Sequence, residues 1–318
     1  MRKGDILYVV VPCYNEQEVL PETAKRLSEK LENLIENKLI SQKSRVVFVD
    51  DGSKDSTWEI ISNLHKENEL FSGIKLSGNR GHQNALLCGL MTVRDLCDAT
   101  ISIDADLQDD VNSIDLFWER YLAGYEIVYG VRNDRTTDSF FKRFTAQSFY
   151  KFMHKLGVNV VYNHADCRLM GKRSLEALSE YKEVNLFLRG MVTLVGFKST
   201  TIEYQRSERF AGESKYPLKK MLALAANGII LFTLKPIRII LSAGMFFSIL
   251  SFIGLLTLAI LSFTGTTIPG WAFVLASVWF AFGLSSIFMG IIGEYVGKAF
   301  EEVKARPRYV VEEFINVE

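Results

Sequence analysis

The chain has no paired cysteines. Cys13, Cys88, Cys97 and Cys167 are scattered, with no C-x-x-C among them. That spacing argues against a zinc site or a disulfide framework and for reduced thiols in a cytosolic compartment. It also has no net charge, with 37 Lys+Arg against 37 Asp+Glu in 318 residues. Nucleic acid as the main partner usually selects a basic excess, so that class is disfavoured. No G-x-G-x-x-G follows the first strand pattern and no Walker A sequence occurs, which disfavours dinucleotide binding and P-loop chemistry. No internal repeat or low-complexity segment is present. Met1-Arg2-Lys3-Gly4-Asp5 runs straight into a strand pattern, so no secretory signal is expected. Wholesale disorder is excluded by 48% hydrophobic and 23% charged residues. The largest gap is local: residues 239–293 contain no Asp, Glu, Lys, Arg or His over 55 positions.

A 55-residue uncharged core helix is implausible in water. About 20 apolar residues cross the hydrocarbon of a bilayer, so two spans are expected, at about 239–263 and 271–293. Residues 264–270 form the loop between them. Lys235 and Arg238 precede the run, Lys298, Lys304, Arg306 and Arg308 follow it, and the loop carries no charge. The positive-inside rule then puts both termini and the soluble part on the cytoplasmic side. The apolar stretch 216–234, flanked by Lys215, Lys219 and Lys220, is expected to lie in the membrane interface. The resulting division is a soluble domain over 1–214, a juxtamembrane amphipathic helix over 215–238, the two spans over 239–293, and a solvated tail over 294–318.

The first 214 residues alternate between two periodicities. Residues 6–11 (ILYVVV) and 45–49 (RVVFV) are β-branched runs of the kind buried on both faces of a parallel sheet. Shorter strand patterns fall at 74–76, 100–103, 126–131 and 200–204. Helical spacing occupies 17–37, 57–68, 83–96 and 114–123. Pro12 is expected to end the first strand. A basic-aromatic helix is expected over 139–156, and 206–216 reads as a polar loop. Alternating strands and helices predict a mostly parallel α/β sheet covered on both faces. Ligands of such sheets lie outside the carboxyl ends of the strands. The polar clusters fall at those ends: Tyr14-Asn15-Glu16, Asp50-Asp51, Asn79-Arg80-Gly81-His82 and the acidic stretch 104–110.

Asp104-Ala105-Asp106-Leu107-Gln108-Asp109 carries the strongest chemical signal. Two carboxylates two residues apart at a strand end can share a hard divalent cation, with substrate phosphate and water completing the shell. Such an ion neutralises a diphosphate leaving group. The competing reading is an acidic loop capping the next helix. Asp50-Asp51-Gly52-Ser53 reads either as a tight turn that caps a helix or as a carboxylate that accepts a base-edge N–H of a nucleotide. His82 could lie near the nucleotide, and His164 neighbours Asp166. Both also fit a bland structural role.

These segments together resemble the family 2 inverting glycosyltransferases of the GT-A fold. The resemblance is carried by Val11-Pro12-x-Tyr14-Asn15-Glu16, Val49-Asp50-Asp51-Gly52-Ser53-x-Asp55, Asn79-Arg80-Gly81 and Asp104-Ala105-Asp106-Leu107-Gln108-Asp109. More narrowly, the chain is similar to the polyisoprenyl-phosphate branch, which includes dolichol-phosphate mannose synthases and bactoprenol glucosyltransferases. Asp166-Cys167-Arg168-Leu169-Met170 and Arg206-x-x-Arg209-x-x-Gly212-Glu213-Ser214-Lys215-Tyr216 match its bacterial members.

The resemblance implies a site. Pro12, Tyr14, Glu16 and Asp51 would border the uridine, with Asn79 beside them. Asp104, Asp106 and Gln108 would lie at a Mg²⁺ or Mn²⁺ ion and the diphosphate. Arg132 and Arg143 would meet the acceptor phosphate, and Arg209 and Lys215 would close over the phosphates. Asp166 is either a catalytic carboxylate or a group that positions the sugar. The implied reaction moves a hexose from a UDP-sugar, UDP-glucose first among them, to undecaprenyl phosphate at the bacterial inner membrane. The product would supply cell-envelope glycosylation, with a flippase as downstream partner and a homo-oligomer, a tetramer by resemblance, as the working unit.

An acceptor phosphate monoester has a second pKa of about 6, so it needs alignment more than a general base. Bidentate arginines suit that task. Direct displacement predicts inversion. Two rivals remain open at this level: a processive polysaccharide synthase and a catalytically silent nucleotide-binding scaffold. The first usually carries Q-x-x-R-W, and the nearest segment here, residues 185–190, lacks both Gln and Trp. Against the second stand the intact Asp104, Asp106, Arg132 and Lys215.

Overall fold

The computed structural model describes residues 4–132, 164–184, 187–204 and 270–317, apart from the side chains of residues 132, 164 and 165 and some of the last helix. The strands are β1 (Leu7–Cys13), β2 (Arg45–Asp50), β3 (Phe71–Leu76), β4 (Ala99–Ser102), β5 (Ile127–Arg132), β6 (His164–Gly171), β7 (Ser199–Tyr204) and β8 (Val311–Ile315). The helices are α1 (Leu20–Glu36), α2 (Thr57–Glu67), α3 (His82–Val93), α4 (Ser113–Leu122), α5 (Lys172–Ser179), α6 (Leu188–Leu194) and α7 (Gly270–Lys304).

The eight strands form one sheet in the order β7-β5-β6-β4-β1-β2-β3-β8. Strands β4, β1, β2 and β3 run parallel, as do β5 and β7, which bears out the α/β reading. Helices cover both faces. On one, Leu27, Leu31 and Leu34 of α1 and Phe117 of α4 pack on Val9, Val11 and Phe48. On the other, Leu86 and Leu90 of α3 pack on Val10, Val47 and Val49. At Gly89 a Cβ would come within 2.4 Å of Val10 Cγ1, so the glycine lets α3 lie close on β1. All four cysteines are buried and free.

Four features differ from the expectations. Pro12 lies inside β1, opposite Val49 of β2. The backbone oxygen of Val10 accepts from Ile103 on the β4 side, and β4 pairs with β1 only as far as Val10. The missing N–H of Pro12 therefore faces the side where the neighbouring strand has ended, and the ladder loses nothing. Strand β6 is antiparallel to both its neighbours. Residues 294–318 are not a free tail: α7 continues to Lys304, and β8 pairs antiparallel with β3. Ser72 donates to Asn316 Oδ1 at 2.6 Å, and Lys75 pairs with Glu312 at 2.9 Å.

The second expected span, at about 271–293, falls within α7 and is not supported as a span by this fold. Among the described residues no helix is long and apolar enough to cross a membrane. The first expected span, the interfacial helix, the polar loop and the basic-aromatic helix all lie outside the described residues.

The β8 pairing predicts the effect of removing it. Deletion of residues 309–318 should bare the β3 edge, lower the melting temperature by several degrees and promote association through the open strand. Thermal unfolding with light scattering checks this. An unchanged transition would mean that β8 contributes nothing.

Candidate active site

Three loops leave the carboxyl ends of β1, β2 and β3 and are stapled together. Asp51 is the hub. Its backbone N–H donates to Cys13 O at 2.9 Å. Its carboxylate accepts from the backbone N–H groups of Arg80 at 2.7 Å and Gly81 at 2.9 Å. Burial raises the Asp51 carboxyl, and those two N–H groups work against the rise. Gly52 has φ +67°, and a Cβ there would meet the backbone of Gly78 and Asn79 at 2.7 Å. The first loop is held as firmly. Asn15 N–H donates to Ser53 Oγ at 2.9 Å, Lys54 N–H to Asn15 Oδ1 at 2.9 Å, and Glu16 N–H to Thr57 Oγ1 at 3.0 Å. Pro12, Tyr14, Glu16, Asp51 and Asn79 thus belong to one connected rim. Asp51 spends two acceptor positions on the loop itself, so holding the rim together is its structural task.

Past β4 the chain keeps an alternating exposure. Ala105, Leu107 and Asp109 turn inward, while Asp104, Asp106 and Gln108 stay half-exposed. Asp109 accepts from the Tyr204 hydroxyl at 2.7 Å. That anchor, with Thr23 donating to Ala105 O at 2.8 Å, fixes the segment from behind. Gln108 N–H donates to Asp106 Oδ1 at 3.1 Å. Oxygen donors of Asp104, Asp106 and Gln108 share the open side, the donor chemistry a hard cation takes. Among the described residues, no group of three His, Cys, Asp or Glu side chains is arranged to hold an ion alone.

Strand β6 reaches the same edge because it runs the other way. Its first residues, not its last, lie beside the carboxyl ends of β4 and β5. Asp166 is there, and both its oxygens are engaged. Oδ1 accepts from Arg189 Nε at 2.9 Å and Arg168 Nη2 at 3.1 Å, and Oδ2 accepts from Arg189 Nη2 at 2.8 Å. His82 Nε2 lies 3.6 Å from both Asp166 Oδ2 and Asp104 Oδ1. Burial acts to raise the Asp166 carboxyl, but the Arg189 guanidinium and His82 hold it well below the usual range. Burial acts to lower the His82 imidazole, but Asp166 and Asp104 outweigh it and lift its pKa to about 9. At neutral pH the cluster is therefore a chain of opposite charges, Asp104–His82–Asp166–Arg189.

Arg132 ends β5, opposite Tyr204 of β7, at this same edge. Arg143, Arg209 and Lys215 lie outside the described residues. Sequence reasoning missed Arg189 and Arg168 as members of the site and left His82 undecided. The ion pair of Arg189 with a residue 23 positions away has no local signature in the sequence. A groove of about 430 Å³ lies between α1 and the 107–112 segment, lined by Leu107 and Asp109, and another of about 550 Å³ runs along α7.

Two tests follow from this geometry. Replacing Gly52 by Ala should cost about 1–3 kcal/mol from the backbone alone, read as a lower urea midpoint. The raised His82 pKa stabilises the fold fully below its ordinary value near 6.5, and this contribution disappears as pH rises through about 9. The stability gap between wild type and His82→Gln should therefore shrink from pH 7 to pH 10. A gap that stays constant would show that the imidazole charge contributes nothing.

The glycosyl transferase family 2 model matches residues 8–179. Uncharacterized glycosyltransferase YkoT of Bacillus subtilis (strain 168) is 52% identical over 307 residues, 96% of this chain and 91% of that protein. A bactoprenol glucosyl transferase of Shigella phage SfII is 36% identical over 305 residues, 95% of this chain and 96% of its own length. Among solved structures, the mannosyltransferase PcManGT from Pyrobaculum calidifontis, in complex with GDP-Man and Mn2+, aligns with a TM-score of 0.43 at 14% identity. That alignment covers 96% of this chain and 89% of the other. With the family's motifs distributed along the carboxyl edge of an α/β sheet, the chain belongs to glycosyl transferase family 2 and is a glycosyltransferase.

Proposed function

We propose that the protein transfers a hexose from a UDP-sugar, UDP-glucose first, to undecaprenyl phosphate at the inner face of the bacterial plasma membrane. One observation carries the reading: His82 lies 3.6 Å from both Asp104 and Asp166. The acid segment after β4 and the carboxylate at the start of β6 therefore belong to a single reaction centre, beside the rim built on Asp51. The relative from Shigella phage SfII, matched over nearly its whole length, supports the lipid acceptor.

Each group has a task. Pro12, Tyr14, Glu16 and Asn79 border the nucleoside, with Asp51 holding their loops in place. Asp104, Asp106 and Gln108 would hold Mg²⁺ or Mn²⁺, their oxygens leaving part of the coordination shell to substrate phosphate and water. Bound there, the ion would supply charge neutralisation for the departing diphosphate. Arg132, with Arg143, Arg209 and Lys215, aligns two anionic substrates that otherwise repel each other. An oxygen of the acceptor phosphate forms the new bond to the anomeric carbon. The bond to the diphosphate breaks, and its electron pair leaves with UDP. The acceptor is already largely deprotonated at neutral pH, so no side chain has to remove a proton. Attack opposite the leaving group converts an α-linked donor into a β-linked lipid product.

The uncharged stretches 239–263 and 271–293 would anchor this centre at headgroup height. A homo-oligomer in the membrane and a flippase acting on the product complete the proposal. The test uses purified full-length protein with undecaprenyl phosphate, Mg²⁺ or Mn²⁺ and a panel of UDP-sugars, followed by UDP release and mass spectrometry of the lipid. Wild type should yield a polyprenyl-phosphate hexose. Asp106→Asn should lose at least about 100-fold in turnover with an unchanged melting temperature. Near-normal turnover in that variant would remove the metal-binding assignment, and absence of any sugar-lipid product from wild type would remove the function.

A further inference from the structure

The groups around Asp166 suggest a role for a residue to which neither the family motifs nor the reaction above gives a part. Arg189 is the second residue of α6, and two links fix that helix start to the start of α3. Leu188 N–H donates to Gln83 Oε1 at 3.0 Å. The residues adjoining that link, Arg189 after Leu188 and His82 before Gln83, meet the same carboxylate oxygen, Asp166 Oδ2. Behind it, the Arg168 side chain is fully buried and adds a third cation at 3.1 Å. The Asp166 side chain is 15% exposed, against 29% for Asp104. Asp166 is thus deeper than the acid segment, and His82 stands between the two.

We propose that Arg189 is a positioning residue for sugar transfer: its bidentate grip orients Asp166 as a fixed anion beside Asp104, facing the donor sugar. This rests on the glycosyl-transfer reading above. Two N–H groups of a planar guanidinium set both the distance and the plane of a carboxylate, which a single ammonium cannot do. A carboxylate held by two guanidiniums and an imidazolium has little affinity for a proton. It serves instead to orient a sugar hydroxyl or to face the positive charge that develops at the anomeric carbon. Arg189 itself need not touch the substrate, because it acts through Asp166. The pairing also gives the segment 187–194 a reason to be at the site, although it lies outside the sheet.

The experiment measures steady-state transfer from UDP-glucose, UDP-N-acetylglucosamine and UDP-galactose to undecaprenyl phosphate by full-length protein. It compares wild type, Arg189→Lys, Arg189→Gln, Asp166→Asn and the double variant Arg189→Gln with Asp166→Asn. Arg189→Lys keeps the charge and loses the fork, so it guards against a variant that fails to fold. It should lower kcat by about 100-fold while the KM for the donor sugar changes by no more than about twofold. The double variant should be no slower than Asp166→Asn alone, because both changes remove one device. If the losses multiply, or if KM carries the effect, Arg189 does not act through Asp166 and the proposal fails while the function stands. If wild type makes no sugar-lipid from any donor, the functional reading fails and this proposal falls with it.

Discussion

The ion pair between Asp166 and Arg189 is the interaction on which the candidate site depends. A lone buried carboxylate would be costly, and the fully buried Arg168 guanidinium without a partner would be worse. Together with His82 they form an alternating chain in which each charge is the reason its neighbour can be buried. Removal of Asp166 takes away the carboxylate that Arg168, Arg189 and His82 share. The arrangement also ties parts of the chain that are remote in sequence: α3, the start of β6 and α6. The ions therefore hold the architecture of this edge together as well as setting its electrostatics.

The rim around Asp51 is held together differently. It contains few ion pairs and is held by backbone donors meeting short side chains: Asp51 with Arg80 and Gly81, Ser53 with Asn15, Thr57 with Glu16. Short side chains lose little freedom on ordering, and the left-handed turn at Gly52 allows two backbones to touch. A rim of this kind is rigid without needing ion pairs. The acidic segment after β4 lies between the two systems. It is anchored from behind by Tyr204 and Thr23 and open in front.

The parallel half of the sheet was legible because a strand buried on both faces is written as an unbroken β-branched run, and the loops at its ends as polar clusters. The strand β6 was harder to read. HADCRLMG shows no alternation and carries a charged residue, Arg168, at its centre, which hydropathy alone assigns to a surface. Its burial makes sense only with Asp166 beside it, a tertiary fact. The same holds for Arg189 and His82, whose partners are chosen by the topology. VEEFI was read as part of a tail because an edge strand that is exposed on most positions carries glutamates like any solvated segment. Pro12 misled for a related reason: a proline ends a strand only where a neighbour requires its N–H.

Strand β8 has a consequence for biosynthesis. Its partner β3 is made early, yet every residue of the uncharged stretch and of α7 must leave the ribosome before the strand that covers β3 exists. During that interval the nascent catalytic layer carries a bare hydrogen-bonding edge while strongly apolar segments emerge behind it. Such an intermediate is prone to adhesion, so its survival depends on how promptly the apolar segments are captured. Completion of the sheet is thereby linked to the most hydrophobic part of the chain, because only after that part has been synthesised can the outermost strand return and close the edge.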